Sequence, residues 1–307
     1  MIQKILKRAW QITWKNKFLW FFGLLIVLFG QGSETNFFLN NLQIINNQTA
    51  NLFNWNKVFS FLENFKVLFI SHPFQVILFF LILIVLVLIV IFINLSSQGS
   101  LIYCSKKLSQ NKKSTFIEGA HIGIKNFWAL LVIFILANLF ILISFLIFVL
   151  PFTIFFIKNN SPLWFFLSLL SSLLILLPIS ILVYLITRFA YCYLVLKSKK
   201  ILSSIEKSIK LFLKNWLIIL KFALFLSLIY ILGIIIIALV SFLISLPLFL
   251  ISIMLNYLIS FDISWSLMVI GVITSTILSL FIISILTVFQ YNSWVLLFSE
   301  LVGHKKE

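Results

Sequence analysis

Long uninterrupted apolar runs dominate the pattern of this chain. Phe74 to Ile93, Phe127 to Leu150, Leu163 to Thr187, Trp216 to Leu246 and Trp265 to Phe289 are built almost wholly of Leu, Ile, Phe and Val. A hydrocarbon core of about 30 Å is crossed by roughly 20 such residues in an α-helix. Each run therefore predicts a membrane span. None alternates polar with apolar residues, as a barrel strand facing a lumen would, so the predicted class is an all-α polytopic transmembrane bundle. Phe18 to Gly30 is shorter and is expected to need an earlier start or a locally thinner bilayer to cross.

Charge decides the fate of that short run. If it crosses, the segments 1–17, 96–126, 188–221 and 303–307 share one side and carry 20 of the Lys and Arg residues, leaving Lys57, Lys66 and Lys158 opposite. That bias follows the positive-inside rule and places both termini in the cytoplasm. If the run did not cross, the later loops would exchange sides and the bias would largely vanish. Six spans are therefore expected. The N-terminal run is read as retained rather than as a signal peptide, because Lys15 and Lys17 adjoin it and no small-residue cleavage pattern follows.

A second period lies over the first. Lys15-Asn16-Lys17-Phe18, Lys125-Asn126-Phe127-Trp128 and Lys214-Asn215-Trp216 stand before the first, third and fifth runs. Each follows a segment with apolar residues at helical spacing: Ile2, Ile5, Leu6, Ala9 and Ile12; Phe116, Ala120 and Ile124; Ile205, Ile209, Phe212 and Leu213. Such a face suits an interfacial helix lying on the membrane. Thr115 with Glu118, and Ser203 with Glu206, have capping-box spacing. The second, fourth and sixth runs lead into similar tails, Ser100 to Tyr103, Ala190 to Tyr193 and Ser293 to Val295. The chain is thus expected to be one membrane domain, 1–307, of three units (1–110, 111–200 and 201–307), each an interfacial helix and two spans. An even number of spans per unit keeps all units in one orientation, with any pseudo-axis along the membrane normal.

This pattern resembles a loose group of uncharacterised bacterial membrane proteins, including the membrane domain attached to some glycerophosphoryl diester phosphodiesterases. The resemblance implies a bacterial cytoplasmic (inner) membrane protein. The tail after Phe289 is expected to hold no soluble phosphodiesterase barrel, so no catalytic residue carries over.

Composition adds limits. Hydrophobic residues make up 63% of the chain and charged ones 10%, a balance foreign to soluble domains. The net charge of +16 points to anionic lipid headgroups rather than nucleic acid, for want of a soluble basic domain. His72, His121 and His304 fall in separate segments, and Cys104 and Cys192 near the cytoplasmic face are expected to stay reduced. No nucleophile and base pair, metal set or cofactor motif is found, so no enzyme, metal or cofactor is expected. The acidic residues fall outside the spans, against a proton- or cation-coupled transporter.

Asn94, Arg188 and Gln290 form the candidate site. Each stands near the cytoplasmic end of an even-numbered span, where a pseudo-threefold axis would gather them into a polar ring, with Arg188 placed for a headgroup. The alternative, favoured by the ordinary behaviour of long polar side chains, is that all three snorkel to the interface or cap helices. Pro151 and Pro247 are expected to end or bend helices and Pro178 to kink one. The leading functional reading is a non-enzymatic scaffold, lipid-organising element or accessory subunit. The alternative is a permease or flippase-like carrier of a neutral or lipidic solute.

Overall fold

The apolar runs fold as helices, and the computed structural model describes residues 2–30, 71, 73–159, 162–197, 200–258 and 261–303. The amphipathic stretch from Val58 to Leu68, Glu34, Glu63, His72 and His304 lie outside them. The helices are α1 (Ile2–Lys15), α2 (Phe18–Phe29), α3 (Pro73–Ser109), α4 (Phe116–Lys125), α5 (Phe127–Phe148), α6 (Leu150–Asn159), α7 (Pro162–Ser171), α8 (Leu177–Lys197), α9 (Ile201–Leu258) and α10 (Phe261–Gly303). A π-helical turn, Ser172–Leu176, joins α7 to α8. Among the described residues there is no strand. Among these residues five helical stretches are long and apolar enough to cross a membrane, or six if the sharply bent pair α1–α2 counts as one. The chain is an integral membrane protein by that measure.

All three Lys-Asn steps are helix breaks. α1 ends at Lys15, Asn126 separates α4 from α5 at φ −94°, and Asn215 interrupts α9 at φ −125°. The same device recurs at each: the asparagine Nδ2 donates to the carbonyl four residues back, Asn16 to Ile12 at 3.0 Å, Asn126 to Ile122 at 2.9 Å and Asn215 to Leu211 at 3.2 Å. A side chain that competes for a carbonyl of the last turn favours a helix end there. Seven residues before each asparagine stands a small buried residue: Ala9, Gly119 and Ser208.

Those small residues allow close packing. Gly123 of α4 lies so near α3 that a Cβ on it would fall 2.2 Å from the Ser96 carbonyl and from Ser100 Oγ. α4 packs on α3 and α1 on α10, so these two amphipathic segments each sit on a long helix, the first closing on the last; α9 as a whole packs on α8. The helices after the first two breaks go to the same neighbours, α5 against α3 and α2 against α10.

Lengths place the core. α3 has 37 residues and α10 has 43, about 55 and 65 Å of helix, well beyond a hydrocarbon core of about 30 Å. The surplus of α3 and α10 meets the end of α8 at the lysine-rich end, hereafter the basic end. There Leu101, Leu185, Phe189, Phe222, Trp294 and Leu297 are almost wholly buried. At the far end α3 and α10 stand exposed, with Phe74 at 76% and Trp265 at 57%. Lipid solvates such side chains without penalty, so the packed core forms where the sequence turns polar.

Of the two outcomes expected at Pro247, an end is excluded, since α9 continues through it to Leu258; membrane helices tolerate the missing N–H. Two other expectations change. Ser203 does not cap: the helix begins at Ile201, Ser203 Oγ donates to the Lys200 carbonyl, and Glu206 pairs with Lys210. The fourth run is not one regular helix, because α7, the π turn and α8 divide it ahead of Pro178. A proline deprives the carbonyl four residues back of its donor, and a π turn absorbs the mismatch. α2 has only 12 residues, about 18 Å, and a Cβ on Gly30 at its end would lie 3.2 Å from Asn94 Oδ1. It therefore covers only the stretch of α3 nearest the basic end.

Candidate functional site

Just past its apolar run, α3 becomes a mixed polar helix, and Asn94, Ser96, Ser97, Gln98, Ser100 and Ser105 are all buried. On α10 the matching stretch holds Ser284, Thr287, Gln290, Asn292 and Ser293, also buried. Arg188 of α8 enters between them at 6% exposure. Polar groups withdrawn from water require partners, and those partners knit the three units together.

A set of hydrogen bonds and a set of ring contacts do this. Asn292 is fully buried, donates from Nδ2 to Thr13 Oγ1 at 2.8 Å and accepts from Ser105 Oγ, joining α10 to α1 and α3. Arg188 Nη2 approaches Tyr184 Oη at 2.6 Å, and its guanidinium carbon lies 4.8 Å from the Tyr184 ring centre and 4.0 Å from that of Tyr291. A guanidinium stacked between two aromatic faces keeps cation–π stabilisation that burial strengthens. Asn94 accepts from Gln98 Nε2 at 3.0 Å.

The three residues singled out from the sequence are thus all buried at the basic end, at 7%, 6% and 4% exposure for Asn94, Arg188 and Gln290. Asn94 lies beside Gln98 and Gly30, while Arg188 meets α10 at Tyr291, the neighbour of Gln290. None of the three is solvent-exposed. Gln98, Tyr184, Tyr291, Asn292, Thr13 and Ser105 were not picked out, although Asn94/Gln98 and Tyr184/Arg188 each show the four-residue spacing of one helical face.

A second polar cluster fastens α4. Thr115 caps it, accepting from Glu118 N at 3.4 Å. The Glu118 carboxylate accepts from Lys107 at 2.5 and 2.6 Å and from Tyr103 Oη at 2.7 Å. Lys107 foremost, then Tyr103, with a smaller share from the Thr115 backbone N–H, holds this carboxyl below its usual range.

Among the described residues no group of three His, Cys, Asp or Glu is placed to hold a metal ion, and both cysteines are free and buried. Two apolar hollows lie away from the polar centre, one of about 320 Å³ along α3 by Phe80 and Ile84 and one of about 540 Å³ between α9 and α10 by Phe249 and Met268. No family model, curated protein or solved structure matches the chain. The reading of function therefore rests on the geometry.

Proposed function

We propose that this chain is a multi-pass protein of a bacterial inner membrane, with its basic end and both termini in the cytoplasm, acting without catalysis as a scaffold, lipid-organising element or accessory subunit. In this reading it crosses six times, as three two-span units each introduced by an interfacial helix. The packing of α1 on α10, α4 on α3 and α9 on α8 supports the threefold arrangement. So does the asparagine break repeated before α2, α5 and the second part of α9. The kinship with phosphodiesterase-attached membrane domains belongs to the same proposal.

One observation carries the choice of scaffold over carrier. Where α3, α8 and α10 converge, the space is filled by Leu101, Leu185, Phe189, Trp294 and Leu297, each under 2% exposed. Phe189 and Phe222 set their ring edges against Trp294 at 5.8 and 5.4 Å. A solute path requires open room, and close-packed side chains fill this centre. The exposed apolar residues on the amphipathic segments, Trp10 and Trp14, Ile117 and Ile124, Leu202 and Leu213, stand beside lysines. That combination favours the surface of an anionic leaflet.

Extraction in native-lipid particles followed by mass spectrometry tests the proposal. A defined protein partner, or enrichment of one lipid class over the bulk membrane, is expected. Bulk lipid alone, together with solute flux in proteoliposomes, would overturn it in favour of a carrier.

A further inference from the structure

Beyond the buried Arg188, three cations from three different helices gather at the basic mouth of the bundle. Arg8 of α1 donates from Nη2 to the Ser109 carbonyl of α3, and Ser109 Oγ in turn donates to the Lys106 carbonyl at 2.6 Å. Lys106 Nζ bonds Ser299 Oγ of α10 at 2.8 Å. Next to Ser299, the Phe298 ring meets Tyr193 of α8 at 4.8 Å, and Lys197 Nζ stands 5.8 Å from the centre of that same tyrosine ring. Lys197 and Arg8 are near enough to act on Lys106 by charge repulsion.

The cluster is not neutralised locally. The ion pairs Lys107–Glu118 and Lys210–Glu206 engage other lysines, and among the described residues no carboxylate is paired with Arg8, Lys106 or Lys197. Glu300 follows Ser299 on α10 and is the one acidic residue on this last turn of the described helix. Counting it, an excess of positive charge remains. Like charges held together by packing cost stability unless an anion occupies the space between them. Lys106 is half-buried while Arg8 and Lys197 are exposed, so an anion arriving from outside has access.

The geometry points to a phosphate-binding site formed by Arg8, Lys106 and Lys197 at this mouth, with Ser299 holding the Lys106 ammonium in place. One guanidinium and two ammonium groups supply the charge and the kind of donors that a phosphate group takes. The phosphate comes either from an anionic lipid headgroup or from a soluble phosphate compound. The site goes beyond the scaffold reading and stands whether or not a protein partner exists.

The test uses the full chain. In nanodiscs of phosphatidylcholine alone, inorganic pyrophosphate is titrated calorimetrically; in parallel, phospholipid retained through mild detergent is measured by native mass spectrometry. Lys106→Gln with Lys197→Gln is expected to lower pyrophosphate affinity or retention of anionic lipid by about tenfold or more. Lys214→Gln with Lys221→Gln, which removes the same charge from exposed positions of α9, should leave both within about twofold of the parent. Lys106→Arg with Lys197→Arg should restore binding. If the glutamine pair does not fold, Arg8→Gln carries the test, with about a fivefold loss expected. A loss in the pyrophosphate arm assigns a soluble phosphate, and a loss only in the lipid arm assigns the headgroup. Absence of binding in both arms for the unsubstituted chain, or an equal loss in the α9 pair, overturns the site.

Discussion

Asn292 Nδ2 donates to Thr13 Oγ1 at 2.8 Å, joining residues 279 positions apart. The contact ties the last long helix to the first amphipathic one. Both halves of the Asn292 amide are used, since Oδ1 accepts from Ser105. Asn292→Ala should therefore cost about 1 to 3 kcal/mol, the usual penalty for leaving buried partners unsatisfied. Thermal unfolding in detergent measures the loss, and hydrogen exchange should locate the added opening in α1.

The close approach of α4 to α3 gives a second outcome. A Cβ at Gly123 meets the Ser96 backbone carbonyl at 2.2 Å, whereas at Gly119 its nearest neighbour is the Cys104 sulfur at 2.5 Å. A backbone cannot turn aside as a side chain can, so Gly123→Ala is expected to cost about 1 to 3 kcal/mol and Gly119→Ala less. Cys104 is fully buried. Its labelling by a small maleimide should accelerate in Gly123→Ala, and unchanged labelling would show that α4 had not moved.

Acid should release the α4 clasp. Lys107 and Tyr103 hold the Glu118 carboxyl below its ordinary value of 4.5, so the charged form is favoured by the fold. The resulting stability is present above the ordinary carboxylate range and disappears as pH falls through the depressed value. A titration from pH 6 down to 3, followed by protection of α4 amides, should show the loss. Glu118→Gln should remove that pH dependence and leave α4 less protected at pH 7.

How much of this was legible beforehand depends on what each residue answers to. Leu, Ile and Phe facing lipid answer only to length and hydropathy, so the helices of α3, α5, α9 and α10 appear in the sequence directly. The Lys-Asn steps were also legible, because an asparagine that bonds Ile12, Ile122 or Leu211 acts within its own helix turn. Asn292, Thr13 and Ser105 were not, since the polar residue of a span end looks the same whether it caps, snorkels or crosses to another helix. At Pro247 the sequence left an end and a bend both open, because the backbone rule that ends soluble helices is relaxed in lipid. The polar residues Asn94, Arg188 and Gln290 were located on the right helix ends, but their partners depend on helix rotations that no local pattern encodes.

Arg188 offers a check on the buried centre. Lysine keeps the charge but not the flat guanidinium that faces the Tyr184 and Tyr291 rings at 4.8 and 4.0 Å. Arg188→Lys should thus be destabilised, by about 1 to 2 kcal/mol in cation–π contact alone. Unchanged expression, melting temperature and lipid co-purification in Arg188→Leu would exclude the polar ring.

The central claim is that the three amphipathic segments share one face of the membrane and the far end of the bundle lies across it. Single cysteines at Lys4, Lys113 and Lys200, and one at Lys158, in a chain with Cys104→Ser and Cys192→Ser, test it by labelling with a membrane-impermeant thiol reagent. The account predicts that Lys4→Cys, Lys113→Cys and Lys200→Cys label only in inverted vesicles and Lys158→Cys only in intact spheroplasts. Labelling of Lys113→Cys and Lys200→Cys from opposite faces would contradict it.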